Sequence, residues 1–321
     1  MIPMIEPCSS FVDADDIRLH YLEWSPQQIR KNGSSGAVGH FGEQDSDNVP
    51  IVMLHGLGAS ADAWCLVAEH LCQEHELISF DLRGHGQSDQ PESGYDLVTV
   101  AEDVICGMAA LGLGQVALVG HGWGARVALV LAARHPSLVS HLVLVDCPHV
   151  EPRHWPGMTR ERFIREQAPK EFYTSRATFI EAMSREMAAF WSPEVEKIVH
   201  TYVRDLPDGS VEERLCAEFQ RQCRAALWED RALPYYGKLS CPVLLVPAAA
   251  QPLPGEQPPE RLESADEFAA AKGYMAAQVA RAIHQCSVLW MPDTSHDIQL
   301  QRPERLAHAI ASFIETPYDT I

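Results

Sequence analysis

Short apolar segments alternate with stretches of helical spacing along most of the chain, and this alternation constrains the fold more than any other feature. The segments IVMLHG, QVALVG and HLVLVD are almost continuously apolar, as strands buried on both faces are. Good helix formers separate such segments, and one helical stretch, ARVALVLAARHP, ends at a proline. Buried strands that alternate with helices predict an α/β fold, a mostly parallel sheet with helices on both faces.

The pattern changes between 148 and 238, where aromatic and charged residues recur at helical spacing without a convincing strand. Residues 25–48 are rich in Gly, Ser, Asn and charge, which is typical of a mobile loop. We therefore expect a core in two parts, 1–147 and 239–321, with an inserted helical cap at 148–238. The predicted strands are 17–24, 49–56, 76–84, 115–120, 141–146, 241–247 and 286–292, and the predicted core helices are 98–113, 125–136, 265–284 and 303–315.

Charge and composition narrow the possible partners. The 25 Lys and Arg residues face 44 Asp and Glu residues, a net charge of −19 that disfavours binding to nucleic acid or anionic membranes. No apolar run approaches the roughly 18 residues of a membrane span, and the N-terminus does not resemble a secretory signal. Nine scattered cysteines without a CxxC pair suggest reduced, packed thiols. We expect a cytoplasmic protein that binds a small molecule; its oligomeric state stays open.

Four motifs follow predicted strands in a fixed order. They are HGLG (55–58), DLRGHGQSD (81–89), GHGWG (120–124) and SHD (295–297). In this combination the chain resembles the α/β-hydrolase family over 17–315, both its ester and C–C-bond hydrolases and its dehalogenase and epoxide-hydrolase branch. The resemblance implies that GHGWG is the nucleophile elbow and that His296 is the catalytic base.

The chemistry expected at the elbow follows from its position between a strand and a helix. Gly120 and Gly124 leave room for a sharp turn, and the apex lies at a helix N-terminus, where amides and the helix dipole favour negative charge. The backbone amides of Leu57 and Trp123 are candidates for binding a developing oxyanion. Further pocket candidates are His55, Gly56, Gly58, His121 and Trp64. The histidines among them, like His85, also suit structural hydrogen bonds, and Trp64 also suits core packing.

Two positions depart from the family pattern. The apex is Gly122, where the family has serine or aspartate, so no covalent intermediate can form there. The usual acid position holds Gln251, which cannot stabilise an imidazolium as a carboxylate does. Asp146 ends the preceding predicted strand, where part of the family places its acid. A structural role for Asp146 in a turn fits the sequence equally well.

Three explanations remain for the missing nucleophile. Gly122 could be an engineered change, the protein could be an inactive ligand-binding or scaffold homologue, or His296 could activate a water in place of the side chain. We favour the last, with a small apolar ester-like or carbonyl compound as substrate. The sequence contains no dinucleotide or phosphate-binding glycine motif and no convincing set of metal ligands, so we expect neither cofactor nor metal.

Overall fold

The computed structural model describes residues 6–25, 49–149, 151–155, 157–165, 172–258 and 264–315. Of the loop predicted at 25–48, only Ser25 is among the described residues. The strands of the described part are β1 (Cys8–Ala14), β2 (Ile17–Trp24), β3 (Ile51–Leu54), β4 (Leu77–Phe80), β5 (Val116–His121), β6 (Val139–Val145), β7 (Phe172–Tyr173), β8 (Val203–Asp205), β9 (Val211–Glu213), β10 (Val243–Val246) and β11 (Cys286–Val288).

The α-helices come between these strands and after the last of them. They are α1 (Cys65–Leu71), α2 (Leu97–Ala110), α3 (Trp123–Arg134), α4 (Arg160–Arg165), α5 (Arg176–Glu186), α6 (Pro193–Val199), α7 (Ala217–Glu229), α8 (Leu233–Tyr236), α9 (Ala265–Ala282), α10 (Ile298–Gln301) and α11 (Pro303–Glu315). Within the described residues, no helix combines the length and the apolar character needed to cross a membrane.

Eight strands form the central sheet, in the order β1-β2-β4-β3-β5-β6-β10-β11. The pairs β1–β2 and β2–β4 are antiparallel, and every later neighbour pair is parallel. The mostly parallel sheet predicted from the sequence is thus confirmed. The first strand was not predicted, because five of its seven residues, including Phe11, are at least partly exposed and leave only a weak apolar signal.

Side chains of the parallel strands enter two separate hydrophobic layers. Leu118 of β5 packs in the layer that contains α2 and α3, while its neighbour Val119 packs in the layer that contains α1 and α11. Both faces of the sheet are covered, which explains why the central strands read as continuous apolar runs rather than as alternating ones. The covered sheet also directs the carboxyl ends of its parallel strands toward one edge, where loops can gather functional groups.

The segment 148–238, called the insert below, lies between β6 and β10, and its described residues add no strand to the central sheet. It contains α4 to α8, as its helical spacing predicts, but it also contains a small sheet in the order β7-β9-β8. The expectation of an all-helical cap is wrong on this point. Each of these strands has only two or three residues, too few to show an alternating pattern, and pairing to a neighbour stabilises them.

Candidate active site

The sharp turn at the elbow joins β5 to α3. Gly122 has φ +52° and ψ −112°, a backbone conformation that favours glycine. A Cβ on Gly120 would lie 2.5 Å from the Gly124 carbonyl oxygen, and one on Gly124 would lie 2.5 Å from the carbonyl oxygens of Leu54 and His55. The prediction that the two flanking glycines provide space is confirmed, since neighbouring backbone fills the place of both side chains.

His296 approaches the apex of this turn from the loop that follows β11. A Cβ built on Gly122 would lie 3.0 Å from the imidazole Nε2 of His296 and 3.8 Å from the Cα of Gly56. A single heavy atom at that position would therefore be within hydrogen-bond distance of the imidazole. The His296 side chain is 56% exposed, so solvent reaches it.

Asp146 holds the opposite side of the same imidazole. It follows β6 with φ +46°, its side chain is buried, and its Oδ2 accepts a hydrogen bond from His296 Nδ1 at 2.7 Å. Its Oδ1 accepts a second bond from the Ala248 amide at 2.9 Å. Gln251, at the usual acid position, is an exposed residue a few positions beyond Ala248. The carboxylate beside His296 thus comes from β6 rather than from the loop after β10.

Two further polar residues contact Asp146, and the sequence analysis missed both. Lys272 of α9 donates to Asp146 Oδ2 at 2.9 Å, and His149 Nε2 lies 3.5 Å from Oδ1. Burial alone would raise the pKa of Asp146, but the bond from His296 and the charge of Lys272 outweigh it and hold that pKa well below its usual value. A lone lysine in an alanine-rich helical segment, AAAKGYMAA, was the available signal for Lys272.

The environment of His296 acts on its pKa in both directions. The surrounding protein removes part of the hydration of the ring and so lowers the pKa, and the hydrogen bond and charge of Asp146 raise it by more, so that the pKa ends above its usual value. Because the carboxylate accepts from Nδ1–H, the neutral ring leaves Nε2 as a proton acceptor that faces Gly122.

His121 ends β5 and lies against the same ring, with 4.5 Å between the ring centroids. Its Nε2–H donates to the backbone oxygen of His296 at 3.0 Å, and a Cβ on Gly56 would come within 2.8 Å of its Nδ1. Burial, followed by the charge of His296, lowers the pKa of His121 to about 4. The ring is neutral at pH 7 and supports the loop that carries His296.

The loop after β3 lies across from the elbow. His55 Nδ1–H donates to the Gly56 oxygen at 2.8 Å, and the Leu82 amide donates to His55 Nε2 at 3.0 Å. The Gly124 amide donates to the His55 oxygen at 3.1 Å, which joins this loop to the first turn of α3. These bonds give His55 the structural role considered for it. Within the described part of the chain, the amides of Leu57 and Trp123 donate to no protein acceptor.

Trp64 does not belong to the site. Its side chain is fully buried in the hydrophobic layer of α1 and α11, where it packs with Trp24 and Met53. The assignment of Trp64 to the pocket is corrected accordingly. An aromatic residue shortly after the loop motif is compatible with both the pocket and the core. Only the folded structure shows that the helical turn carrying Trp64 faces the core.

The motif DLRGHGQSD serves the turn after β4. Asp81 is buried and accepts from His20 Nδ1 at 2.7 Å, from the Ala61 amide at 2.6 Å and from the Gln87 amide at 2.8 Å. A Cβ on Gly86 would overlap the Asp81 carboxyl. This carboxylate therefore ties together the two loops that follow β3 and β4.

Asp89 and His85 complete the same turn. Asp89 Oδ2 accepts from the Arg18 amide at 2.8 Å, and His85 Nδ1–H donates to the Arg83 oxygen at 2.9 Å. Burial of His85, together with its neighbour His55, lowers its pKa to about 3. Both residues make the structural hydrogen bonds that suit their place in the motif.

The insert contacts the loop after β3 through polar groups. Ser60 and Thr201 hydroxyls are 2.7 Å apart, and a Cβ on Gly58 would lie 3.9 Å from Gln220 Nε2. Gln220 is buried and donates to Glu213 at 2.6 Å, and burial raises the pKa of Glu213 to about 7. Sequence reasoning expected aromatic residues in this region and missed these polar ones, because their burial depends on the small sheet.

A separate cleft of about 520 Å³ is lined in part by His149. The described residues that line it come from both ends of the insert and from α9, and none belongs to the elbow or to the loop after β3. Elsewhere, Glu74, His75 and Glu315 bring their potential ligand atoms within 4.8 Å of one another. This group lies at the amino edge of β4, opposite the elbow, and two of its members are exposed.

Comparison with known proteins gives the fold a family. The family model described as alpha/beta hydrolase fold matches residues 49–246, more than half of the chain. Among solved structures, E-2-(acetamidomethylene)succinate hydrolase superposes with a TM-score of 0.74 at 21% identity, over 97% of this chain and 100% of that chain. The esterase EaEST from Exiguobacterium antarcticum gives 0.68 at 19% identity, over 96% and 100%. These two likenesses show the fold alone.

Curated relatives match over shorter stretches. A Sus scrofa protein named 1-acylglycerol-3-phosphate O-acyltransferase ABHD5 is 36% identical over 105 residues, which is 32% of this chain and 30% of the relative. Epoxide hydrolase 2 of Caenorhabditis elegans is 30% identical over 141 residues, 43% of this chain and 34% of the relative. The chain thus aligns with about a third of the length of these relatives.

Proposed function

The chain belongs to the α/β-hydrolase fold family, and on that premise we propose that it hydrolyses a small, apolar ester-like substrate with water activated by His296. The observation that carries the proposal is the pairing of Asp146 with His296, whose Nε2 faces the position of the missing side chain at Gly122 at 3.0 Å. A water oxygen at that position would occupy the place from which a nucleophile attacks in this fold.

The proposed reaction needs no covalent intermediate. His296 Nε2 takes a proton from water while the hydroxide oxygen bonds to the carbonyl carbon, and the carbonyl oxygen becomes an oxyanion that the Leu57 and Trp123 amides bind. The tetrahedral intermediate then expels the alkoxide, and the imidazolium of His296 returns the proton to it. The products are a carboxylic acid and an alcohol. Asp146 fixes the ring and stabilises its protonated form.

The test is the hydrolysis of 4-nitrophenyl acetate and butyrate. We expect His296→Ala to lower the rate about 10²-fold, the usual contribution of a general base, and Asp146→Asn to lower it as well. Surface imidazoles hydrolyse such esters slowly, so the matched control is His284→Ala, which removes an exposed histidine and should leave the rate unchanged. A wild-type rate at the buffer background, unaffected by His296→Ala, would eliminate the enzymatic proposal.

The second candidate function is ligand binding without reaction. Gly122 itself favours it, since the loss of a nucleophile is the most direct way to silence this fold while leaving its pocket intact. A wild-type protein that hydrolyses no ester, but gains thermal stability when acyl compounds or their hydrolysis products are added, would support this alternative.

A further inference from the structure

Lys272 is the one described ammonium group with a hydrogen bond to the acid of the site. It lies in the middle of α9 and is nine-tenths buried, and its Nζ donates to Asp146 Oδ2 at 2.9 Å. The same oxygen accepts from His296 Nδ1 at 2.7 Å. One carboxylate oxygen therefore serves two donors that can both be cationic.

Close packing of α9 on the loop after β10 accompanies the contact between Lys272 and Asp146. A Cβ on Gly273 would overlap the Ala250 backbone oxygen, so glycine at this position lets the helix pack directly on the loop after β10. The Lys272 ammonium also lies 5.8 Å from the Phe268 ring centroid on the same helix. A buried lysine is costly unless it is paired, and an aliphatic side chain would fill the space at lower cost. The partner that compensates Lys272 is Asp146.

The net charge around His296 depends on whether Lys272 is present. With Asp146 alone, a protonated imidazole forms a neutral pair, whereas with Lys272 the protonated group carries a net positive charge. Two other residues near the ring, His121 and His149, have pKa values lowered to about 4 by burial and are neutral at pH 7. Asp297, beside His296 in the chain, acts in the opposite direction and favours the protonated ring. The positive charge of Lys272 therefore opposes protonation of the His296 ring.

We propose that Lys272 is a positioning residue that clamps the Asp146 carboxylate and, by sharing its oxygen with His296, limits how strongly that carboxylate holds a proton on the imidazole. A general base that works on water must be unprotonated, and an Asp–His pair in a partly buried site otherwise tends to hold the proton. The inference rests on the proposed function only for its effect on rate. Its effect on the ring holds for any role of the site.

The test is a titration of the His296 ring, followed by NMR of the whole protein labelled at histidine, in wild type and variants. We expect Lys272→Met to raise the pKa of His296 by roughly one unit, the usual scale of a nearby like charge. Lys272→Arg should restore a value near that of wild type. Lys238→Met, which removes an exposed lysine, is the matched control and should leave the titration unchanged. If Lys272→Met does not fold, Lys272→Gln keeps a donor without the charge and should show the same rise.

Ester hydrolysis gives the second readout. The acidic limb of the pH–rate profile should move to higher pH with the pKa of His296 in Lys272→Met, and Lys272→Arg should bring it back toward the wild-type position. An unshifted ring in both neutral variants, or an equal shift in Lys272→Arg, would overturn the inference. A shifted ring in a protein without hydrolysis would sink the proposed function and leave the role of Lys272 on the imidazole supported.

Discussion

At the residue scale, Gly122 lies at the apex of the turn that presents the nucleophile in this fold, and it carries no reactive group itself. Its positive φ of +52° would strain any other residue, so glycine also relieves the turn. A Cβ at Gly122 would lie 3.0 Å from His296 Nε2, tighter than an ordinary carbon contact, so the partly exposed imidazole has to shift by a few tenths of an ångström to accept a hydrogen bond from a side chain there. Replacing Gly122 by a residue with a reactive side chain therefore tests whether the groups around it can support catalysis.

We predict that Gly122→Ser forms a covalent acyl-enzyme with 4-nitrophenyl acetate, detected as a mass increase of one acetyl group, and hydrolyses the ester faster than wild type. The strained φ should cost about 1–2 kcal/mol of unfolding free energy. Gly112→Ser is the matched control, because Gly112 also has a positive φ, of +74°, but no neighbour within 4 Å of a Cβ. An unmodified mass in folded Gly122→Ser would contradict the prediction.

The pH dependence of the proposed hydrolysis also belongs to this scale. The base must be neutral, so the rate should rise with pH and level off above the pKa of His296, which Asp146 holds above its usual value. In Asp146→Asn, the ring loses the group that raises its pKa, and the acidic limb should move to lower pH while the plateau falls. A pH–rate profile measured for both proteins checks the direction, and an upward shift would contradict it.

At the element scale, the apolar runs predicted the strands around the site well, because β3, β5 and β10, and β6 from Leu142 onward, are buried and consist mostly of apolar residues. Helix α11 begins and ends at the predicted residues, with proline in its first turn. Strands β7 to β9 and the hydrogen bond between the half-buried Glu213 and the buried Gln220 could not be predicted. Their stability comes from tertiary pairing rather than from a local pattern.

The packing of β5 against α3 gives a prediction at this scale. Gly120→Ala or Gly124→Ala should each destabilise the protein by about 3 kcal/mol or prevent folding, since rigid backbone atoms occupy the place of the new methyl group. Gly237→Ala is the control, because Gly237 ends α8 with an ordinary φ and an open Cβ position. Urea unfolding compares the three variants, and a wild-type midpoint for Gly120→Ala would contradict the expected clash.

At the scale of the whole molecule, the motifs and their order predicted the fold family. The folded chain places His296 next to both Asp146 and Gly122. The sequence did not reveal Lys272, because it contacts Asp146 across 126 positions of the chain. Likewise, the choice between packing and pocket for Trp64 depended on which layer its helix turn faces. Residue types and spacing identify the groups next to strands, whereas contacts between distant elements need the folded chain.

Stability against acid is a property of the whole fold. Burial lowers the pKa of His85 to about 3 and those of His121 and His149 to about 4, so the unfolded chain binds more protons below the usual histidine value. The unfolding free energy should therefore fall as the pH drops from about 6.5 toward 4, by about 1–3 kcal/mol for each ring.

Urea titrations at pH 7 and pH 5 measure this loss. The net charge of −19 gives an opposing trend, since acidification reduces repulsion between carboxylates, and 0.5 M salt in both buffers suppresses it. His149→Gln should lose less stability between the two pH values than wild type does. Equal losses in the two proteins would show that His149 is not one of the rings responsible.

The hydrogen bond between Ser60 and Thr201 joins the insert to the loop whose Leu57 amide is the candidate oxyanion donor. Any compound large enough to lift the insert would pull on that loop at the same time, and so misalign the amide that its own reaction requires. On the proposed function, this tie would make the speed of ester cleavage sensitive to the size of the substrate, even for bulky esters that bind tightly.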